Sequence, residues 1–313
     1  MAEALENFTE CNPSGSKYIK NLTSREKLRF LDSFDVVFCD CDGVIWQTLR
    51  DAIPGAAEAI NFLRAQNKKV IFVTNNSITS TSEQLKKFER SKITIDKHEL
   101  VHPAETICNY LKSIKFEGLI FCLATRPFKN ILREAGFQLV EQEERIIPES
   151  VNDLREAIYC NDPVKAVIID VDFNLTAAKL MRAHVHLKNP DCLFIGGAAD
   201  VLIPFGGMDV IGSGPFISVV EESTKRKATI LGKPGLQLCE LLKRNYSLQD
   251  AKRALFIGDS LTSDIKFGKM CGFQTLLVLT GGTKSADLNE YLSLNETPDF
   301  IANTLADLCE LKS

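Results

Sequence analysis

The stretch Phe34-Asp35-Val36-Val37-Phe38-Cys39-Asp40-Cys41-Asp42-Gly43-Val44-Ile45-Trp46 decides the fold. Its short apolar run has no polar alternation, the pattern of a strand buried on both faces in a parallel sheet. The run ends on two carboxylates, Asp40 and Asp42, followed by a glycine. In open α/β sheets ligands bind beyond the carboxyl ends of the strands, so this pair faces the expected site. Two acids spaced i, i+2 on extended chain point the same way. One can attack while the other moves a proton, provided a cation offsets their repulsion. A solvated turn after a strand would look the same. An EF-hand loop would not: it needs glycine at position six and oxygen donors at three and five, whereas here glycine sits at four and Val44 at five.

Around this strand, the 313 residues suffice for two domains of ordinary size. Hydrophobic residues at 45% and charged residues at 25% fit a soluble globular chain. A net charge of −4 and a pI near 5.7 give no electrostatic reason to expect nucleic acid or an anionic membrane as partner. No apolar run approaches the ~20 residues of a membrane span. The first residues carry acids and no apolar segment, unlike a secretory signal. Ten scattered cysteines with no C-x-x-C pair predict reduced thiols and a cytoplasmic protein.

Residues 1–20 read as a polar tail, and Thr23-Ser24-Arg25-Glu26 as a capping box opening a helix through Leu31. After the Asp40 strand, Ala57, Ile60, Phe62 and Leu63 mark a helix. Lys69 to Thr74 is a second buried strand closed by Asn75-Asn76-Ser77, and helices follow over Ser82–Arg90 and Pro103–Ile114. This β-α-β-α order predicts a doubly wound parallel sheet. From Phe116 the pattern restarts, with strands at Leu119–Leu123, Val167–Ile169 and Leu193–Ile195. Helices intervene, and a glycine-rich segment over 206–214 leads into a further helix. The first pattern resumes with Ala228–Leu231, Ala254–Ile257 and Thr275–Leu279. The expected organisation is an α/β Rossmann-like core over 21–115 and 226–313, with a second α/β cap domain, 116–225, inserted into it.

Four strand ends carry polar residues: Asp40-Cys41-Asp42, Thr74-Asn75-Asn76-Ser77, Gly232-Lys233-Pro234, and Gly258-Asp259 with Asp264. Each has a bland explanation alone, as a cap, a turn or an exposed lysine. Brought together by one sheet, they suit phosphoryl transfer. A carboxylate nucleophile needs its repulsion with phosphate cancelled, and a hard cation takes oxygen ligands from two or three Asp. A lysine acts as a point charge, and a hydroxyl with loop N–H groups holds the equatorial oxygens.

These four motifs together resemble the haloacid dehalogenase superfamily of phosphatases. Trp46, Gly232-Lys233-Pro234 and the place of the insert resemble its subgroup with a large α/β cap, which includes phosphoglycolate, pyridoxal and p-nitrophenyl phosphatases. The resemblance implies a Mg²⁺-dependent phosphomonoesterase acting on a small phosphorylated metabolite. It implies that Asp40 becomes an aspartyl phosphate and that Asp42 is the acid–base group. It further implies that Asp40, the Asp42 carbonyl and Asp259 bind Mg²⁺, with Asp264 ordering their surroundings. Thr74, Asn75, Asn76 and Lys233 then bind the substrate. Relatives with this cap commonly pair through it, and Leu180, Ala183 and Leu187 form an apolar stripe that suits either a homodimer contact or the cap's own sheet.

The cap departs from the pattern. Ile78 and Ile203 stand where pyridoxal phosphatases align an arginine and a histidine, and Leu202 where phosphoglycolate phosphatases align an arginine. Asp200 is kept but follows Ala198-Ala199, and Asp170 replaces a usual glycine. Two other readings compete. A catalytically silent phosphate-binding or regulatory protein would gain nothing from a paired acid and base. A phospho-receiver domain has no inserted cap.

Overall fold

The computed structural model describes residues 15–48, 51–142, 146–159, 161–205, 208–289 and 296–311. Its strands, in chain order, are β1 (Lys17–Tyr18), β2 (Val36–Cys39), β3 (Lys69–Val73), β4 (Leu100–Val101), β5 (Leu119–Leu123), β6 (Gln138–Leu139) and β7 (Val164–Ile169). There follow β8 (Leu193–Gly196), β9 (Leu202–Phe205), β10 (Met208–Ile211), β11 (Thr229–Ile230), β12 (Ala254–Gly258), β13 (Gln274–Val278) and β14 (Phe300–Ala302). Seven of them form one sheet in the order β1-β14-β13-β12-β2-β3-β4, with every pairing parallel.

The chain leaves β2 toward β3 and β4 on one side, then returns through β12, β13 and β14 on the other. The switch point therefore lies between β2 and β12, where an open α/β sheet leaves a crevice. The unbroken apolar run of β2 follows from burial on both faces. Val37 and Cys39 enter a core beneath helices Ser24–Asp32, Ala56–Ala65 and Thr81–Arg90. Val36 and Phe38 enter another beneath helices Leu236–Asn245 and Lys266–Cys271.

A second, five-stranded parallel sheet has the order β11-β8-β7-β5-β6. One face, with Ile120, Cys122 and Ile168, packs on helices Pro103–Ser113 and Arg126–Glu134. The other, with Phe121, Val167 and Ile169, packs on helices Ala177–Leu187 and Gly214–Thr224. Helix Pro103–Ser113, expected in the first unit, thus buries Ala104, Ile107 and Leu111 against the smaller sheet. Amphipathic spacing shows that a helix has an apolar face, not which sheet receives it. For the same reason Thr229–Ile230, expected to resume the larger sheet, extends the smaller one beside β8.

Two further expectations change, and one of two open readings is chosen. The polar tail stops short, because Lys17–Tyr18 pairs with Phe300 and Ile301 and Ile19 is buried. Two paired residues are too few to leave a periodic signal. The segment before helix Gly214–Thr224 contains an antiparallel pair, β9 with β10, that the sequence reading did not contain. Leu202, Phe205, Met208 and Ile211 in it are exposed, so no buried face imposes a pattern; Gly206 and Gly207 of the expected glycine-rich segment lie outside the described residues. The Leu180, Ala183, Leu187 stripe packs on the smaller sheet: Ala183 and Leu187 are fully buried beside Phe121 and Val167. Among the described residues no helix is long and apolar enough to cross a membrane.

Candidate active site

The carboxyl ends of β2, β3 and β12 meet in one crevice, closed on a fourth side by the loop that follows β11. Asp40 follows the last residue of β2, Thr74 that of β3 and Asp259 that of β12; all three are buried. Lys233, among the largest fully buried side chains, donates from Nζ to Asp40 Oδ1 at 2.7 Å and to Asp264 Oδ1 at 2.7 Å. Asp264 sits in a π-helical turn, Leu261–Ile265, and its Oδ2 accepts from the N–H groups of Asp259 and Ser260, each at 3.0 Å. Such turns are frequent at functional sites because they re-aim one side chain.

Carboxylate oxygens of Asp40, Asp259 and Asp264 lie within 4.8 Å of one another. Ionised together, three carboxylates against one ammonium would leave two negative charges in a buried pocket. Burial pushes Asp259 up to about 7, the neighbouring Asp264 charge adds to it, and the Gly282 N–H and Lys233 only partly oppose this. Burial likewise raises Asp40 well above the usual carboxylate range, against the pull of Lys233. Burial alone would lower Lys233, but Asp264 and Asp40 outweigh it and its pKa is raised. A hard divalent cation would cancel this uncompensated charge, and an all-oxygen donor set is what Mg²⁺ takes. Asp264 has both oxygens committed to protein donors, which leaves Asp40 and Asp259 as the side chains able to face an ion. Gly43, at φ +82°, leaves Asp259 its room: a Cβ there would come within 2.3 Å of Oδ2.

Asp42 stands apart from this cluster and is held at both oxygens. Trp46 Nε1 donates to Oδ1 at 3.1 Å, and Asn76 Nδ2 to Oδ2 at 3.2 Å. Trp46 is itself fixed edge-on against Phe88 of helix Thr81–Arg90, with ring centroids 4.8 Å apart.

Asp40, Asp42, Thr74, Asn75, Asn76, Lys233, Asp259 and Asp264 converge here, though two of them take unexpected partners. Asn75 and Asn76 were expected against substrate; their side-chain amides contact protein instead. Asn75 Oδ1 accepts from Lys233 N at 2.8 Å, while its Nδ2 donates to Lys233 O at 2.9 Å and Asp200 Oδ2 at 2.7 Å. It clamps the lysine's backbone on both sides. Asn76 holds Asp42, and its N–H donates to Thr74 Oγ1 at 3.0 Å, which leaves the Thr74 hydroxyl hydrogen free to donate.

A cavity of about 440 Å³ runs from these residues up to the smaller sheet. Its far wall is apolar, with Ile78, Val171, Leu202, Ile203 and Phe205, and among the described residues Lys87 joins Lys233 as a cation on its lining. Neither Asp170 nor Lys179 lines it: Asp170 is buried, and Lys179 bonds Asp172 at 2.9 Å and the Asn174 carbonyl at 2.8 Å. The hairpin β9–β10 and Lys87 were missed from sequence; the exposed apolar Leu202-Ile203-Pro204-Phe205 run was the signal available for the first.

A family model described as haloacid dehalogenase-like hydrolase matches residues 37–138, and one described as HAD-hydrolase-like matches 230–308. A 4-nitrophenylphosphatase from Schizosaccharomyces pombe is 31% identical over 93% of this chain and 99% of its own length. Human chronophin is 31% identical over 88% of this chain and 92% of its own. The crystal structure of a 4-nitrophenylphosphatase from Thermotoga maritima superposes with a TM-score of 0.73 at 24% identity, covering 90% of this chain and 98% of that one, and shares the fold. With four motifs gathered at one switch point and matches spanning nearly the whole chain, the protein belongs to the haloacid dehalogenase-like hydrolase family.

Proposed function

We propose that this protein is a Mg²⁺-dependent phosphatase that hydrolyses a small phosphomonoester through an aspartyl-phosphate intermediate. The observation that carries the reading is the division of labour between two carboxylates two residues apart. Asp40 is buried against Lys233, while Asp42 is held apart from the carboxylate cluster by Trp46 and Asn76.

In this reading Asp40 attacks phosphorus as the bond to the leaving oxygen breaks, and Asp42 gives that oxygen its proton. Asp42 then takes a proton from water, the water oxygen attacks phosphorus, and the Asp40 carboxylate is restored as phosphate leaves. Lys233 has three N–H donors, of which Asp40 and Asp264 take two; the third is available to a phosphoryl oxygen, together with the Thr74 hydroxyl. Asp40, Asp259 and the backbone carbonyl of Asp42 would hold Mg²⁺, which supplies charge neutralisation for the incoming phosphoryl group.

The division into a catalytic core and a substrate-reading cap belongs to the same proposal. It is supported by the placement of Asp40, Asp42, Asp259 and Asp264 at the larger sheet and of Val171, Leu202, Ile203 and Phe205 of the apolar wall on residues 171–205. The free, buried cysteines support a reducing, cytoplasmic setting. The test is phosphate release from p-nitrophenyl phosphate with Mg²⁺ and after chelation. Mg²⁺-dependent release is expected, and a purified, folded protein that releases none would reject the reading in favour of a silent phosphate binder.

A further inference from the structure

Two carboxylates of the smaller sheet's loops reach down to Asn75 and Ser77 in the loop after β3. Asp200 accepts from Asn75, which clamps Lys233. One strand over, Asp170 follows β7 and accepts from the Ser77 hydroxyl through Oδ1. Ser77 directly follows Asn76, whose side chain holds Asp42. Ser77 is gripped from the other side as well, since its carbonyl accepts from the Thr125 hydroxyl at 3.3 Å.

Asp170 is built for this contact. Val171 N–H donates to its Oδ1 at 2.7 Å and Ala198 N–H to its Oδ2 at 3.1 Å, so both carboxylate oxygens are held by backbone. Gly197 provides its berth: a Cβ there would lie 1.8 Å from Oδ2. The residue is 2% exposed and outside the substrate cavity, so it gains nothing by touching substrate. A buried carboxylate is costly unless hydrogen-bonded, and here one of its three donors comes from the other sheet.

We propose that Asp170 is a positioning residue: through Ser77 and Asn76 it fixes the orientation of Asp42 when the smaller sheet is docked, so proton delivery to the leaving oxygen depends on that docking. The proposal rests on the phosphatase reading for its chemistry, but the contact itself does not. Asp170 acts on the acid–base half of the site, while Asp200 acts on the lysine half through Asn75.

Ser77→Ala removes the shared bond and leaves Asp170 its two backbone donors, so folding of the smaller sheet is preserved. On an alkyl phosphate, whose leaving group needs a proton, kcat should fall about tenfold. On p-nitrophenyl phosphate, whose leaving group needs little protonation, it should fall less than about threefold. Asp170→Asn should show the same selective loss. In an Asp42→Asn background, Ser77→Ala should leave the alkyl-to-aryl ratio unchanged. Equal losses on both substrates, or an undiminished effect without Asp42, would overturn the proposal. Hydrogen exchange gives a readout independent of activity. Amides of residues 76–78 and 198 should exchange faster in Ser77→Ala while those of β2 and β12 do not change. Unaltered exchange at 76–78 would also overturn it, whereas a wild-type protein inert on both phosphates would reject the phosphatase reading alone.

Discussion

Asp42 carries no metal-facing duty that its side chain could share, because Trp46 and Asn76 take one oxygen each. Its removal should therefore be felt through the leaving group. Asp42→Asn is expected to lower kcat on alkyl phosphates by ~10²-fold or more and on aryl phosphates much less; equal losses would contradict the acid–base assignment. Asp259 gives a second test at this scale, in the metal-free protein. Its folded pKa, about 7, is far above the ordinary carboxylate value of 3.8. Between those values the folded chain keeps a proton that the unfolded chain has lost. The stability linked to Asp259 is thus present in full below the unfolded pKa and lost as pH rises through about 7. The melting temperature of chelated protein should fall between about pH 5 and about pH 8, and the gain on adding Mg²⁺ should be larger at the higher pH. Calorimetry at both pH values checks this, and an Mg²⁺ gain that shrinks with pH would contradict it.

The elements that hold these residues differ in how clearly they write themselves into sequence. β2, β3 and β12 are legible because burial on both faces demands unbroken apolar runs, and their polar ends then stand out. Helix Ser24–Asp32 is legible for a local reason, since the Thr23–Glu26 capping box forms as read. The two-residue strands β1, β4 and β6 are not legible, and neither is the β9–β10 pair, whose residues face solvent and the substrate cavity rather than a core. Nor could Asn75 and Asn76 be told from substrate ligands, because Asp200, Lys233 and Asp42 lie far away or across a turn in sequence. Specificity turns on the β9–β10 pair. Its Leu202 and Ile203, with Ile78, put no cation on the apolar wall, so a substrate carboxylate or phenolate laid against that wall, away from Lys87, is buried without a partner and costs affinity. Pyridoxal 5′-phosphate and phosphoglycolate should both be turned over with kcat/KM at least about tenfold below the best substrate in a broad panel. Leu202→Arg should raise kcat/KM for phosphoglycolate. Either metabolite ranking first, or no gain from the arginine, would show that the apolar wall does not decide specificity.

At the scale of the whole molecule, one sheet supplies the charged chemistry and the other an apolar lid that touches it through Asn75 and Ser77. Phe173, Val201, Met208 and Ile211 of that lid are exposed. The homodimer expected from sequence would have to form away from the Leu180–Leu187 stripe, which the smaller sheet consumes; a monomeric mass by light scattering at micromolar concentration would reject it. That an Asp40 carboxylate oxygen attacks phosphorus can be checked by trapping. Wild-type protein quenched in acid during turnover of p-nitrophenyl phosphate should carry a phosphoryl group on the peptide containing Asp40. Asp40→Asn should carry none and should lose at least ~10³-fold in turnover, about 4 kcal/mol of barrier. An Asp40→Asn protein that keeps more than roughly a tenth of wild-type turnover, or a wild-type protein phosphorylated elsewhere, would contradict the account.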